Sequence, residues 1–113
     1  MTDPISFDDF LKVDIRVGTV TDVQEFPEAR KPAYKLWIDF GGDIGVRKSS
    51  AQITVNHAAD DLVGQQVLAV VNFPPRQIGA FMSEILVLGL PDEVGEVMLL
   101  RPSLPVPDGG RMY

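Results

Sequence analysis

Apolar and polar residues alternate with period two along most of this chain, and that rhythm predicts strands. It is cleanest from Ala33 to Phe40, where Tyr34, Leu36, Ile38 and Phe40 point to one face and Lys35, Trp37 and Asp39 to the other. Ile15 to Phe26 is a longer strand-like run rich in Val, Ile and Thr; its alternation breaks at Gly18, where a bulge would let it curl. After the tight Gly41-Gly42-Asp43 turn, a third strand is expected from Ile44 to about Ile53. Gln66 to Asn72 reads as a buried fourth strand and Ser83 to Leu90 as a fifth. An added strand around Glu96 to Arg101 leads into a tail whose Pro102, Pro105 and Pro107 cannot continue a sheet interior. Trp37 falls on the outer face, to be covered by an N-terminal helix or a partner subunit, or to form part of a ligand surface.

Two short stretches carry helical spacing instead. Ser6 is placed as an N-cap with Asp9 reaching back, and Phe7, Phe10 and Leu11 share one face of a helix over residues 7–12. So short a helix needs its apolar face docked, on the sheet or on another copy of the chain. A second helix is expected to start from Thr54 as cap, run through His57, Ala58, Ala59 and Leu62, and end at Gly64. Three strands, a helix, two more strands and no parallel crossover predict an all-β chain. The best fit is a five-stranded OB-fold barrel with a short N-terminal helix, a helix between strands three and four, and a C-terminal extension.

One connection departs from the usual polar loop. Asn72 to Leu90 reads N-F-P-P-R-Q-I-G-A-F-M-S-E-I-L-V-L-G-L, with Phe73, Ile78, Phe81 and Met82 beside two adjacent prolines. Pro74 and Pro75 fix φ and remove backbone donors, so the loop is stiff at its base and expected to stand clear of the sheet. Its apolar side chains form either a recognition surface or a satellite core beneath the loop.

With 113 residues, 45% apolar and 23% charged, the chain has the size and composition of one ordinary globular domain. The N-terminus carries Asp3, Asp8 and Asp9 and nothing like a basic leader, and no apolar run is long enough for a membrane span. Absence of cysteine excludes disulfides and thiolate metal sites, and a cytoplasmic location is expected. The net charge of −6 argues against general nucleic-acid binding. Its distribution qualifies that: residues 1–28 sum to −5, residues 29–83 to +2 and the remainder to −3. The positive charge of Arg30, Lys31, Lys35, Arg47, Lys48 and Arg76 is thus confined to the middle, where it could steer a partner.

Catalytic chemistry is hard to place. His57 is the only histidine, so no multi-histidine metal site exists. Ser49 and Ser50 lack a nucleophile-elbow setting, and Gly41-Gly42 lacks the Lys-Ser/Thr of a phosphate loop. Neither enzyme activity, a metal nor a cofactor is expected.

Several separated motifs are nevertheless distinctive. D-I-R-V-G-T-V (Asp14 to Val20), F-P-E-A-R-K-P-A-Y-K-L-W-I-D-F-G (Phe26 to Gly41), S-S-A-Q-I-T (Ser49 to Thr54) and V-V-N-F-P-P-R-Q-I-G-A-F-M-S-E-I-L-V-L-G (Val70 to Gly89) together resemble the tRNA-binding-domain family. These are OB modules found alone or appended to aminoacyl-tRNA synthetases, and the likeness is strongest to the group of bacterial secretion chaperones. It covers about Phe7 to Pro107 and implies a single tRNA-binding-type OB domain over 1–113. It also implies a homodimer built with the N-terminal helix and C-terminal segment.

In nucleic-acid-binding relatives the asparagine ending strand four and a Ser-Glu opening strand five line the site, matching Asn72, Ser83 and Glu84. Those relatives continue Ser-Glu-Gly-Met and carry a Lys-Pro-Arg loop. This chain has Ser83-Glu84-Ile85-Leu86 and Phe73-Pro74-Pro75-Arg76, which weakens tRNA binding and adds apolar surface at the same mouth. The resemblance therefore implies unfolded preproteins or peptides, and a translocation ATPase, as partners. Phe73, Ile78, Phe81 and Met82 would receive apolar side chains, and Asn72, Arg76, Gln52 and Ser83 would meet peptide backbone or polar groups. The alternative is tRNA in the same groove, with Arg30, Lys31, Lys35, Arg47, Lys48 and Arg76 on phosphates.

Overall fold

The long strand Ile15–Glu25 (β1) is the axis of the molecule, because it pairs on both sides. The structure is a computed structural model and describes residues 2–113. Tyr34–Asp39 (β2) lies antiparallel along the second half of β1, and Val46–Ala51 (β3) lies antiparallel to β2. Gln66–Val70 (β4) pairs with the first half of β1, after the short helix Ala59–Leu62, which follows β3 and is α2. The helix Phe7–Leu11 is α1. Arg76–Ile78 (β5) and Phe81–Ser83 (β6) form a separate hairpin; Leu86–Val87 (β7) returns to β4, and Gly89–Pro91 (β8) pairs with Val97–Leu99 (β9). The main sheet thus runs β3-β2-β1-β4-β7.

That sheet curls until its two ends nearly meet, giving an OB-type barrel. The seam between β3 and the end of β6 is held by Glu84 N donating to Lys48 O (2.8 Å), Ser50 N to Ser83 Oγ (3.0 Å) and Lys48 N to Glu84 Oε1 (3.1 Å). Inside the barrel sit Tyr34, Leu36, Ile38 and Phe40, the set their alternation predicts, with Val20, Val67, Ala69, Ile85 and Leu99. Leu36 and Ile38 retain no accessible surface.

Gly18 does not carry the bulge expected there. The register of β1 against β2 slips between Val20 and Asp22, close to where β1 hands over from β4 to β2. A Cβ on Gly18 would lie 2.7 Å from Ile38 Cγ2 and 2.8 Å from Phe40 Cδ1, so glycine stands there because the core leaves no room. Thr54 is not a helix cap either: residues 54–56 form a turn, and α2 begins later at an Ala58 N-cap with no side-chain bond. Gly64 ends it with φ +88°, as expected, freeing its N–H to reach Val20 O at 2.8 Å. The observed β3 is shorter than the expected strand from Ile44 to about Ile53, and the expected fifth strand is divided among β6, β7 and β8.

The N-terminal helix has a full capping box, Ser6 Oγ accepting from Asp9 N while the Asp9 carboxylate accepts from Ser6 N. None of its five residues is buried. The C-terminal tail covers the half of β1 that β2 leaves open: Gly109 N donates to Val17 O, Val17 N to Gly110 O and Met112 N to Ile15 O. Asp14 fastens this junction, accepting from Arg16 Nε at 2.6 Å with Arg111 Nε at 3.5 Å. The Arg16 hydrogen bond outweighs partial burial and holds the Asp14 carboxyl below its ordinary value.

A depressed carboxyl pKa stabilises the fold above the unfolded value near 3.8 and loses that contribution as pH falls through the lower folded value. Asp14→Asn is accordingly expected to cost about 1–2 kcal/mol at neutral pH. The deficit relative to the parent should vanish in thermal melts taken well below pH 3.8. An equal deficit at both pH values would show that the carboxylate charge is not what fastens the tail.

Candidate functional site

The apolar connection is a hairpin laid against the barrel, not a loop standing clear of it. Pro74 and Pro75 lead into β5, and the two-residue Gly79-Ala80 turn, with Gly79 at φ +60°, returns the chain as β6. Alternation along β6 turns Phe81 and Ser83 inward and Met82 outward, so Phe81 is 8% exposed and Met82 37%. The Phe81 ring meets Phe26 edge-on at 5.4 Å and Trp37 at 6.1 Å, with Ala33 and Ile78 alongside. Trp37 is therefore covered by the hairpin, through Phe81. The outer-face cations of β2 and β3 lie over the same aromatics. Lys35 Nζ is 4.8 Å from the Phe26 centroid, and Lys48 Nζ is 5.2 Å from that of Phe81.

Docked this way, the hairpin leaves a two-part groove between itself and the barrel. One part is a hollow of about 430 Å³ bounded by Phe73, Pro74, Ile78, Ile85 and Leu86, with Arg76, Ser50, Ser83 and Glu84 at its polar margin. The other, about 410 Å³, is lined by Arg30, Lys31, Gln52, Arg76 and Gln77 with Glu28, Ala29 and Ala33. Ser50, Arg76 and Ile78 border both, so the apolar end runs into the cationic end across them. Phe73 is 51% exposed and Leu86 49%, the largest free apolar surfaces beside the hollow. None of Arg30, Lys31, Lys35, Lys48 and Arg76 joins an ion pair among the described residues; the pairs present are Lys12–Asp9, Arg16–Asp14 and Arg111–Asp14.

The residues expected to bind are thus sorted by the fold. Phe73, Arg76, Ile78, Ser83 and Gln52 line the groove with Arg30, Lys31 and Glu84. Phe81 is a correction: it is the buried peg that seats the hairpin. Met82, 37% exposed, lies on the far side of β6 and borders neither hollow. Asn72 faces the N-terminal segment, its Oδ1 accepting from Asp14 N at 3.0 Å and its Nδ2 donating to Lys12 O at 2.7 Å. Ser83 and Glu84 serve the barrel seam as well as the groove wall. Lys35 and Lys48 sit on the aromatic face beside the groove, whereas Arg47 points elsewhere, its Nε donating to Ile44 O.

Pro74, Ile85, Leu86, Glu28 and Gln77 were not singled out from the sequence as site residues. For Ile85 a signal existed, since it stands where the relatives' Ser-Glu-Gly-Met has glycine. His57 is structural: its Nε2 accepts from Leu99 N and its Nδ1 lies 3.3 Å from Ile53 O. No group of three His, Asp or Glu among the described residues could hold a metal ion. No described helix is long and apolar enough to cross a membrane.

The fold has counterparts among known proteins. The family model described as "Putative tRNA binding domain" matches residues 15–111. A methionine–tRNA ligase of Porphyromonas gingivalis is 36% identical over 112 residues, 99% of this chain and 16% of the ligase. One from Salinibacter ruber is 39% identical over 88 residues, covering 78% of this chain and 12% of the ligase. The chain thus spans only about a sixth of the length of such enzymes. Among solved structures, the chaperone CsaA of Bacillus anthracis superposes with a TM-score of 0.91 at 50% identity, over 98% of this chain and all of the other. The CsaA chaperone of Picrophilus torridus gives 0.90 at 51% identity, over 97% of this chain and all of its own. The chain belongs to the tRNA-binding-domain family and is of the CsaA type within it.

Proposed function

We propose that this protein is an ATP-independent export chaperone in the cytoplasm, a single OB unit that holds extended apolar segments of unfolded preproteins in the two-part groove. The observation that carries this reading is the apolar hollow flanked by half-exposed Phe73 and Leu86, opening directly onto unpaired cations. An apolar hollow needs an apolar occupant. The CsaA structures, named as chaperones, support the same class.

A homodimer accounts for the exposed apolar ends, Ile5 at 71%, Phe7 at 66% and Tyr113 fully accessible. Two grooves per dimer would grip one long unfolded chain by avidity, before delivery to a translocation ATPase.

The unpaired cations and the aromatic patch beside the groove favour a second reading, tRNA binding, which the family and the methionine–tRNA ligase relatives also support. Parallel titrations of an unfolded preprotein and of bulk tRNA, at low and moderate salt, separate the two. The chaperone reading expects preprotein binding that survives moderate salt, because apolar burial carries it. Binding of tRNA alone, falling steeply with salt, would replace it with the second reading.

A further inference from the structure

Strand ladders send the N–H and C=O of alternate residues to opposite edges. On β3 the edge facing away from β2 belongs to Lys48 and Ser50, whose backbone groups make the barrel seam with Ser83 and Glu84. Gln52 is the second residue after Ser50 and the first past the end of β3, where both the ladder and the seam have ended. Among the described residues the Gln52 N–H donates to no protein group and its C=O accepts from none. Gln52 is exposed, so these groups are solvated and free to exchange water for a ligand.

They border the cationic hollow, and a second open edge borders it too. The two-residue turn makes Ile78 and Phe81 the closing hydrogen-bonded pair of the hairpin, so Gln77 between Arg76 and Ile78 directs its backbone groups away from β6. Charge then narrows the occupant: Arg30, Lys31 and Arg76 face this hollow against Glu28 alone, with no ion pair among them.

We propose that an extended peptide pairs with the chain just past the end of β3, bonded through its backbone to the Gln52 amide and carbonyl. One of its acidic side chains turns toward Arg30, Lys31 and Arg76, while an apolar residue further along seats beside Phe73 and Leu86. This rests on the peptide-binding reading and specifies its mode. Backbone pairing of this kind is indifferent to most side chains, as a receptor for many unfolded sequences requires, and is blocked wherever the ligand lacks an N–H. A nucleic-acid backbone matches the cations but offers no alternating amide donors and carbonyl acceptors.

The test is an N-methyl scan of a short fluorescein-labelled peptide, with leucine at alternate positions in one half and glutamate at alternate positions in the other. Its binding to the full-length protein is read by anisotropy. Loss of one backbone hydrogen bond should weaken binding roughly tenfold at a single register position, with the residues on either side tolerant. Glutamate-to-glutamine peptides should bind more weakly and with a shallower salt dependence. If every N-methylated peptide binds like the parent, this backbone pairing is overturned while peptide binding stands. Should the parent peptide fail to bind while an oligouridylate does, the peptide reading and this inference fall together.

Discussion

Gly18→Val is expected to destabilise the protein by about 3 kcal/mol or more, lowering its melting temperature by roughly 10–20 °C. The reason is geometric. Even the first carbon of a side chain at Gly18 would come within 2.7 Å of Ile38 Cγ2 and 2.8–2.9 Å of two Phe40 ring carbons. Those neighbours have nowhere to go: Ile38 is fully enclosed and Phe40 is 1% exposed, at the centre of the barrel. Valine adds two further methyls to the same contact, and a close-packed interior converts such excess volume into displaced strands. Gly18→Ala should fall between parent and valine variant, at about 1–3 kcal/mol. Denaturant or thermal melts followed by circular dichroism would settle the order. A valine variant as stable as the parent would mean that β1 can shift away from β2 at little cost, and that the core is far looser than the contacts imply.

That position also illustrates what a sequence discloses. The break in alternation at Gly18 was plain, yet two physical causes produce it, an irregular ladder and a neighbour that needs the space. Only the partner across the core distinguishes them, and Phe40 is 22 residues away. Where a strand is long and one face is buried, as in Tyr34 to Phe40, period two alone fixed both the element and its inward set. A three-residue strand cannot be phased in this way. F-M-S gave no means of deciding whether Phe81 or Met82 faced the barrel, and the fold buried the first and exposed the second.

The groove was half legible for a related reason. Phe73, Ile78 and Arg76 lie in one stretch and announced an apolar, cationic mouth. The other wall comes from Arg30, Lys31 and Gln52, brought there by the pairing of β3 with β2 and by Phe81 gripping Phe26. Charge counts along the chain could mark those cations as a segment but not as a wall. Likewise Asn72, Ser83 and Glu84 looked like ligand contacts by family resemblance. Each has a structural partner in this chain as well, which no list of motifs reveals.

Replacing both Phe73 and Leu86 with serine should weaken binding of an unfolded preprotein by roughly thirtyfold, the equivalent of about 2 kcal/mol. The figure follows from exposure. Both side chains are about half accessible, so each has roughly half of a full side-chain burial left to gain from a ligand. The same exposure means that the fold gives up little, and stability should change by less than about 1 kcal/mol. Phe81 would be the wrong target, because its removal would unseat the hairpin and disturb the groove indirectly. Binding of tRNA, if it occurs, should be nearly untouched by this pair and reduced instead by Lys35→Ala with Lys48→Ala, which remove charge from the aromatic face. The two double variants thus read opposite ends of one surface. Preprotein affinity that survives the loss of Phe73 and Leu86 but collapses with the two lysines would move the binding surface from the hollow to the outer face of β2 and β3.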